Sequence, residues 1–567
     1  MSQYFPILQW LPRYQRKHLR DDFLAGITVG VVLIPQGMAY ALLAGLPPIT
    51  GLYAALIALL IYPIFGTSRE LSVGPMALDS LLVASSISVI ADAGTETYIL
   101  LAVLLALMVG VVQFLLGAFR MGFLVNFLSH PVISGFTSAA AFLIGFSQLK
   151  YLMRIDVPGS QQILTMLIDT FRHISEVHLI SLLIGSISIA LLLALRSWKP
   201  NLPGALVVVV LGTLAVWLFD WHANGVQIVG EVPYGLPKPA LPVFDLATVE
   251  RLYPAVGTIA LVSFMEAIAV SKKFAARARY KIDANQELMA LGASNITAGF
   301  FGGYNISGSF SRTAVNAYAG ARSGLASLFT ALVIALTLMF LTPLLYYMPK
   351  AVLASIVIVS VIGLVDYKEA RRLYQVRRPD FTLLVFTFLI TLLLGARYGM
   401  LLSILASLVL IIRRISHPHV ALMGQIPGTD IVRNLRRAPE AMEIEGLVIF
   451  RIDASLYFAN IAYLKENIEE SITERKDKIR AFIFDASSIN EIDSSADTAL
   501  QEIADAFERN NISLYFTNVK GPVRDMMKRS GLYDKLGEDH FFFSKKSAVR
   551  HYLRRHPQYA LSEVEEG

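Results

Sequence analysis

The chain has 567 residues, 55% of them hydrophobic and 16% charged, with a mean hydropathy of +0.56. That composition excludes an ordinary soluble globular protein and points to a polytopic membrane protein. The formal net charge of +6 is no nucleic-acid footprint, since the basic residues sit in short loops between apolar runs, and a chain without cysteine has no disulfide, thiol nucleophile or cysteine-based metal site.

Arg13, Arg16, Lys17 and Arg20 precede a long apolar run with no small-residue cleavage site, which predicts a retained first span rather than a signal peptide. Apolar runs then recur from about residue 22 to residue 412 and give about 14 candidate helices. Two of these begin at breaks. The first break is Leu71-Ser72-Val73-Gly74-Pro75, and the second runs from Gly303 through Asn305, Ser307 and Ser309 to Ser311 and Arg312. In a bilayer, irregular backbone persists only where protein or a hydrated cavity surrounds it, so paired breaks mark a transport site and an internal repeat. Each break opens a helix whose free N–H groups and positive dipole end attract anions.

An even number of spans puts both termini on one side. Alternate loops then carry Arg196 and Lys199, the cluster Lys272, Lys273, Arg277, Arg279 and Lys281, the cluster Lys368, Arg371, Arg372, Arg377 and Arg378, and finally Arg413 and Arg414. The positive-inside rule makes these loops cytoplasmic, whereas Asp92, Glu96, Asp220, Glu231 and Asp245 fall outside. The helix after Pro75 then runs outward and the helix after Ser311 inward, as an inverted repeat requires.

From Glu443 onward the charge density is that of a soluble domain. Strand-like runs at 446–453, 480–485 and 512–516 alternate with helical patterns at 461–471, 494–509 and 523–530, which predicts a small α/β domain with a partly parallel sheet. The expected division is an N-terminal segment 1–20, a membrane domain 21–415, a linker 416–442, the α/β domain 443–559 and an acidic tail 560–567. A segment from Glu445 to Tyr559 has no run long enough to span and is expected to be soluble alone. The chain has neither a GxxxxGK[ST] loop nor an HExxH motif, and no cofactor or metal is expected.

Arg312 opens an apolar helix, and a charge at that depth is costly enough to mark a functional residue; the alternative is a cation snorkelling to the interface. Ser72, Ser309 and Ser311 offer hydroxyls to an oxyanion or serve as helix caps. Gly74, Gly303 and Gly308 fit as residues that permit unusual backbone angles. Gln36 and Tyr40 lie four apart on one helical face, toward a pocket or a packed neighbour. Glu266 stands within the apolar run Val262–Ala269, where a carboxyl either carries a coupling proton or pairs with a polar group on another helix. A sodium site needs several oxygen ligands, and Val270, one turn on, supplies no hydroxyl. Asp283 with Gln286 fits a helix N-cap. Asp79 stands open between a second proton site and a polar packing contact. The loop Asp493-Ser494-Ser495 fits a plain helix cap.

Pro47-Pro48-Ile49-Thr50-Gly51-Leu52-Tyr53-Ala54-Ala55, with Tyr62 and Gly66-Thr67-Ser68-Arg69 after it, resembles the signature of the SulP sulfate-permease (solute carrier 26) family, Thr50 standing where many members carry an aromatic residue. Ile34-Pro35-Gln36-Gly37-Met38-Ala39-Tyr40, Asn285-Gln286-Glu287-Leu288, Ser309-Phe310-Ser311-Arg312-Thr313 and Pro349-Lys350-Ala351-Val352-Leu353 extend the resemblance over nearly the whole membrane region. The C-terminal region, with Ile492-Asp493-Ser494-Ser495-Ala496, resembles the STAS domain of that family. The resemblance implies two inverted seven-helix repeats divided into core and gate domains, a homodimer, a cytoplasmic STAS domain and an elevator-like alternating access. It also implies an anion pocket lined by Gln36, Tyr40, Pro75, Leu78, Ser311 and Arg312, to which the sequence reading adds Gly74 and Ser309. Some bacterial STAS proteins are phosphorylated at the loop that Ser494 and Ser495 resemble.

Two helix N-termini contribute about +0.5 each and Arg312 adds +1, so a site where all three converge offers about +2 and suits a dianion. At an effective dielectric near 20 and about 8 Å, a dianion and an ionised carboxylate repel by about 4 kcal/mol. Proton and dianion therefore help each other bind. The expected activity is proton-coupled sulfate transport through a lipid bilayer, with bicarbonate, chloride or dicarboxylate exchange, or an anion channel or motor, as the alternatives.

Overall fold

The computed structural model describes residues 4–123, 129–155, 162–198, 203–239, 246–475 and 479–559. Lys199, Asp245 and the acidic ending 560–567, named above, lie outside the described residues. The chain divides into two compact units, Met1–Ser407 and Leu408–Gly567.

The first unit is helical. Its first repeat comprises α1 (Leu19–Leu43), α2 (Pro48–Phe65), the short strand β1 (Val73–Gly74), α3 (Ala77–Ile87), α4 (Glu96–Ala118), α5 (His130–Ser147), α6 (Leu179–Trp198) and α7 (Gly204–Leu218). The second comprises α8 (Leu246–Ala278), α9 (Ala284–Phe300), strand β2 (Ser307–Gly308), α10 (Phe310–Tyr318), α11 (Leu325–Leu345), α12 (Lys350–Ile362), α13 (Arg378–Ala396) and α14 (Tyr398–Ser416), within which the division after Ser407 falls. Among the described residues, ten helices are long and apolar enough to cross a membrane, and α3 and α7 are shorter apolar helices. α3 and α10 hold the third place in their repeats, and each follows a two-residue strand. The fold is that of two inverted seven-helix repeats followed by an α/β domain.

Packing in this unit depends on small residues, as expected where lipid is as apolar as the helix surface. A Cβ on Gly51 of α2 would stand 2.0 Å from the carbonyl oxygen of Gly37 in α1. A Cβ on Gly292 of α9 would stand 2.4 Å from the backbone nitrogen of Phe114 in α4. Gly51→Val should therefore lower the melting temperature of purified protein by several degrees, whereas the same change at Gly145, where a Cβ meets nothing within 4 Å, should leave it unchanged.

The motifs that carry the family resemblance are largely tie points between the repeats. Glu287, fully buried in α9, accepts from the Tyr62 hydroxyl at 2.6 Å, from Thr67 N and Oγ1 at 2.7 and 2.6 Å, and from Ser68 N at 3.1 Å. Gln286 Nε2 donates to the Phe65 carbonyl at 2.8 Å. In the other direction Asp22 of α1 accepts from Arg322 N at 2.6 Å and from the Ser323 hydroxyl at 2.8 Å, just before α11. Asp283 caps α9 by accepting from Asn285 N and Gln286 N.

The second unit holds a six-stranded sheet of order β4-β3-β5-β6-β7-β8, from β3 (Val420–Gln425), β4 (Val432–Asn434), β5 (Leu447–Ile452), β6 (Ala481–Asp485), β7 (Ser513–Thr517) and β8 (Phe541–Phe542). β5 to β8 are mutually parallel, and β3 runs antiparallel to both β4 and β5. The helices are α15 (Ile461–Thr473), α16 (Ser494–Arg509), α17 (Gly521–Arg529) and α18 (Lys545–Arg555). One core beneath the sheet gathers Phe450, Phe482, Phe484, Leu500, Phe507 and Phe516. The stretch 416–442, expected as a linker, differs from that expectation. It supplies β3 and β4, because Ala421 and Met423 bury against Ile449 and Ile483 on the other sheet face. A fragment beginning at Glu445 would expose the whole edge of β5. We expect it to aggregate, and a fragment beginning at His417 to be monomeric in gel filtration with mixed α/β circular dichroism.

Lys545 of α18 reaches the fully buried Asp485 carboxylate at the end of β6 at 2.8 Å. Burial alone would raise the affinity of Asp485 for a proton, but the Lys545 bond, with help from Asn518, outweighs it and holds the carboxyl below its ordinary value. A depressed native value means that the pair stabilises the fold fully above about pH 5 and stops doing so as pH falls below about 4. Lys545→Met, which strands the carboxylate, should cost the His417 fragment about 3 kcal/mol at neutral pH in urea unfolding and flatten its loss of stability in acid.

Candidate functional site

The breaks that the sequence shows are built as a two-stranded bridge in the middle of the helical unit. Val73 pairs with Gly308 and Gly74 with Ser307 in antiparallel register. Ser309 N donates to the Ser72 carbonyl at 3.0 Å, and Ser72 N donates to the Thr313 hydroxyl at 3.0 Å. Backbone groups that a bilayer cannot satisfy are thus satisfied by the other break. Because the strands are antiparallel, α3 and α10 leave the bridge in opposite directions and direct their N-terminal ends toward it. Ser309 caps α10, its hydroxyl accepting from Arg312 N.

Gly303 and Gly308, expected to take unusual backbone angles, do not lie in the left-handed region; Gly302 does, with φ +69°. Close approach is what requires the other two. A Cβ on Gly303 would meet Ala54 Cα at 2.8 Å, and one on Gly308 would meet Leu71 Cδ1 at 2.7 Å.

Arg312 is a fully buried side chain, and among the described residues it has no ion-pair partner. Its Nη1 donates weakly to Gln36 Oε1 at 3.5 Å, while Nε and Nη2 are buried with no hydrogen-bond partner. Nη2 lies 3.4 Å from where a Cβ on Gly74 would stand, so any other residue there would crowd the guanidinium. Tyr40, one turn beyond Gln36 on α1, and Tyr304 of the second break are within electrostatic reach of Arg312. Leu78 and Pro75 are buried at the start of α3. The structure therefore brings Gln36, Tyr40, Gly74 and Arg312 together, with Pro75, Leu78 and Ser309 at the flanking helix starts. Ser311 differs: it is exposed, its hydroxyl 3.3 Å from that of Ser309.

A second polar cluster lies beside this one. Glu266 of α8 has a buried Oε2 without a hydrogen-bond partner, and Asp79 of α3, fully buried, acts on it electrostatically. Ser263, one turn before Glu266, has its hydroxyl 2.7 Å from Asp79 Oδ1, and Asn305 Nδ2 donates to that hydroxyl at 3.2 Å. The Tyr304 hydroxyl is 3.0 Å from that of Ser80. Ser80, Ser263, Tyr304 and Asn305 were missed from sequence; for Ser263 the signal available was helical spacing, three residues before Glu266, and Tyr304 and Asn305 stand within the second break itself. A cavity of about 640 Å³ lined by Lys150, Arg154, His178 and Lys350 shares no residue with either cluster.

In the second unit, Asp493 caps α16 by accepting from Ala496 N at 2.8 Å and also accepts from Phe458 N at 2.9 Å. Ser494 and Ser495 are exposed in its first turn.

Residues 19–387 match the sulfate permease family and residues 438–548 the STAS domain. The chain is 40% identical over 565 residues to the chloroplastic sulfate transporter 4.1 of Arabidopsis thaliana, covering 96% of this chain and 82% of that one. It is 35% identical to a probable sulfate transporter of Mycobacterium tuberculosis, covering 96% of this chain and 97% of that one. The murine solute carrier 26 family member A9 anion transporter, solved in the inward-facing state, superimposes with a TM-score of 0.90 at 26% identity, covering 97% of this chain and 94% of that one. The transmembrane domain of a cyanobacterial bicarbonate transporter shares the fold at 23% identity, with a TM-score of 0.61 over 70% of this chain and 98% of that one. With both its membrane repeats and its C-terminal domain matched, the chain belongs to the sulfate permease family.

Proposed function

We propose that this protein is a proton-coupled sulfate transporter working by alternating access. The observation that carries the reading is the Arg312 guanidinium, buried between two opposed helix N-termini with two of its nitrogens unpartnered. A buried cation without a counter-charge is costly, and an oxyanion that accepts from Nε and Nη2 while sitting on both helix dipoles removes that cost. With about +0.5 from each helix end, the total near +2 favours a dianion over chloride or bicarbonate. The sulfate-transporter names of the relatives in Arabidopsis and Mycobacterium support the same substrate.

Gln36, Tyr40, Gly74, Pro75, Leu78, Ser309, Ser311 and Arg312 form the substrate site in this reading, and Glu266 carries the coupling proton. The β1–β2 bridge supports an elevator: separating α3 from α10 would break backbone hydrogen bonds in a water-poor region, so both half-helices travel with the anion between them. The basic loops support cytoplasmic termini, and hence a cytoplasmic STAS domain, in a plasma or inner membrane. Residues 21–415 serve as the transport domain of a homodimer, and Ser494 or Ser495 as a point of control by phosphorylation.

The test is uptake into proteoliposomes of sulfate, bicarbonate, chloride, nitrate and C4-dicarboxylates, each with and without an inwardly directed proton gradient. Sulfate should be the anion most stimulated by the gradient, and unlabelled sulfate inside should drive counterflow. Conductive anion current without counterflow would establish a channel instead.

A further inference from the structure

The Ser263 hydroxyl has one hydrogen too few for its contacts. Its Oγ lies 2.7 Å from Asp79 Oδ1 and 2.7 Å from the carbonyl oxygen of Ile259. Asn305 Nδ2 uses a third direction, donating at 3.2 Å. Both short contacts have the length of full O–H···O hydrogen bonds, a hydroxyl supplies one hydrogen, and a carbonyl can only accept. When the serine hydrogen goes to Ile259, the hydrogen in the other contact belongs to Asp79, which is then a neutral carboxylic acid. When Asp79 is ionised, the hydroxyl turns to it and lets Ile259 go. Ser263 is therefore a rotor that accommodates Asp79 with its proton or without it.

The surroundings favour proton binding. Asp79 Oδ2, Glu266 Oε2 and Asn305 Oδ1 are buried and have no donor. Asp79 from α3 acts on Glu266 from α8 and on Tyr304 from the second break, Glu266 acts on Tyr40 from α1, and Arg312 from α10 acts on Tyr40 and Tyr304, which stand between it and the two carboxyls. Arg312 is the one cation among them. With both carboxyls ionised, the charge of about +2 at the two helix ends and Arg312 is cancelled; with one ionised, about +1 is left; with both neutral, the full +2 meets sulfate.

We propose that Asp79 is a second proton carrier beside Glu266, so that each sulfate crosses with two protons and no net charge. This rests on the proton-coupled sulfate reading above. Two protons from water load the two carboxylates on the side of uptake and leave to water on the other; sulfate remains the dianion throughout, and the bonds that form and break are O–H bonds alone.

The stoichiometry is read from equilibrium accumulation of labelled sulfate in proteoliposomes that hold the full chain, with the membrane potential clamped at zero. Each proton multiplies accumulation about tenfold per unit of pH difference, so wild type should reach about a hundredfold and be indifferent to an imposed potential. Asp79→Asn should reach about tenfold and respond to potential. Wild-type accumulation of about tenfold that responds to potential overturns the second carrier while leaving proton coupling intact. Accumulation with no dependence on pH overturns the coupling reading and this inference with it. An Asp79→Asn protein that keeps the hundredfold ratio also overturns the proposal, and a wild-type slope of about tenfold overturns it even where that variant does not fold.

Discussion

Arg312→Ala should weaken sulfate binding by about 1.5 to 3 kcal/mol, roughly 10- to 150-fold in Kd, while the protein stays folded and monodisperse. Binding is hit because the variant loses the one full positive charge at the bridge. Stability is spared because that charge has no carboxylate partner to strand, and its removal relieves a desolvation cost. Titration calorimetry on detergent-purified protein measures the affinity, and a melting curve checks the fold. Unchanged affinity in a well-folded variant would remove Arg312 from the site. Arg312→Lys should recover part of the loss, since an ammonium restores charge without the planar fork that presents Nε and Nη2 to one oxyanion.

Glu266→Gln should lower sulfate accumulation driven by a pH gradient about tenfold per unit of that gradient, because one proton leaves the cycle. The tenfold loss is the same whether or not Asp79 carries another. Glutamine keeps the shape and hydrogen-bonding capacity of the protonated acid but cannot ionise, so the variant mimics the loaded state. Sulfate binding should persist with a flatter pH dependence, and exchange of labelled for unlabelled sulfate should continue, since it needs no net proton movement. Accumulation equal to wild type under a pure pH gradient would return Glu266 to a structural role.

The two breaks were legible because glycine, proline and serine clusters interrupt runs that are otherwise continuous and apolar. Nothing else in a bilayer tolerates such an interruption. Arg312 was legible for the same reason, as a cost without a local remedy. What sequence withheld was partnership. The Ser263 hydroxyl that Asp79 meets lies 184 residues away, and no local pattern pairs the two. Gly303 and Gly308 were read through backbone angle, when the reason for them is Ala54 and Leu71 on other segments. In the second unit, α16 follows the expected span because Asp493 caps an amphipathic run, whereas β3 falls in a stretch whose composition reads as linker. Its six residues sit among prolines, glycines and arginines, and only pairing with β5 makes them a strand.

The bridge between β1 and β2 also sets a condition on how the protein is made. Ser72 and Thr313 are 241 residues apart, and the Ser72 amide has no bonding partner until Thr313 has been synthesised. At ribosomal speeds that interval is on the order of 10 to 50 s. Throughout it the first broken helix sits at the membrane with Ser72, Val73 and Gly74 unpaired, a state that lipid does not tolerate. The first seven helices therefore cannot be released as a finished half. A nascent chain halted before Ser307 should therefore be recovered crosslinked to the insertion machinery rather than free in the bilayer.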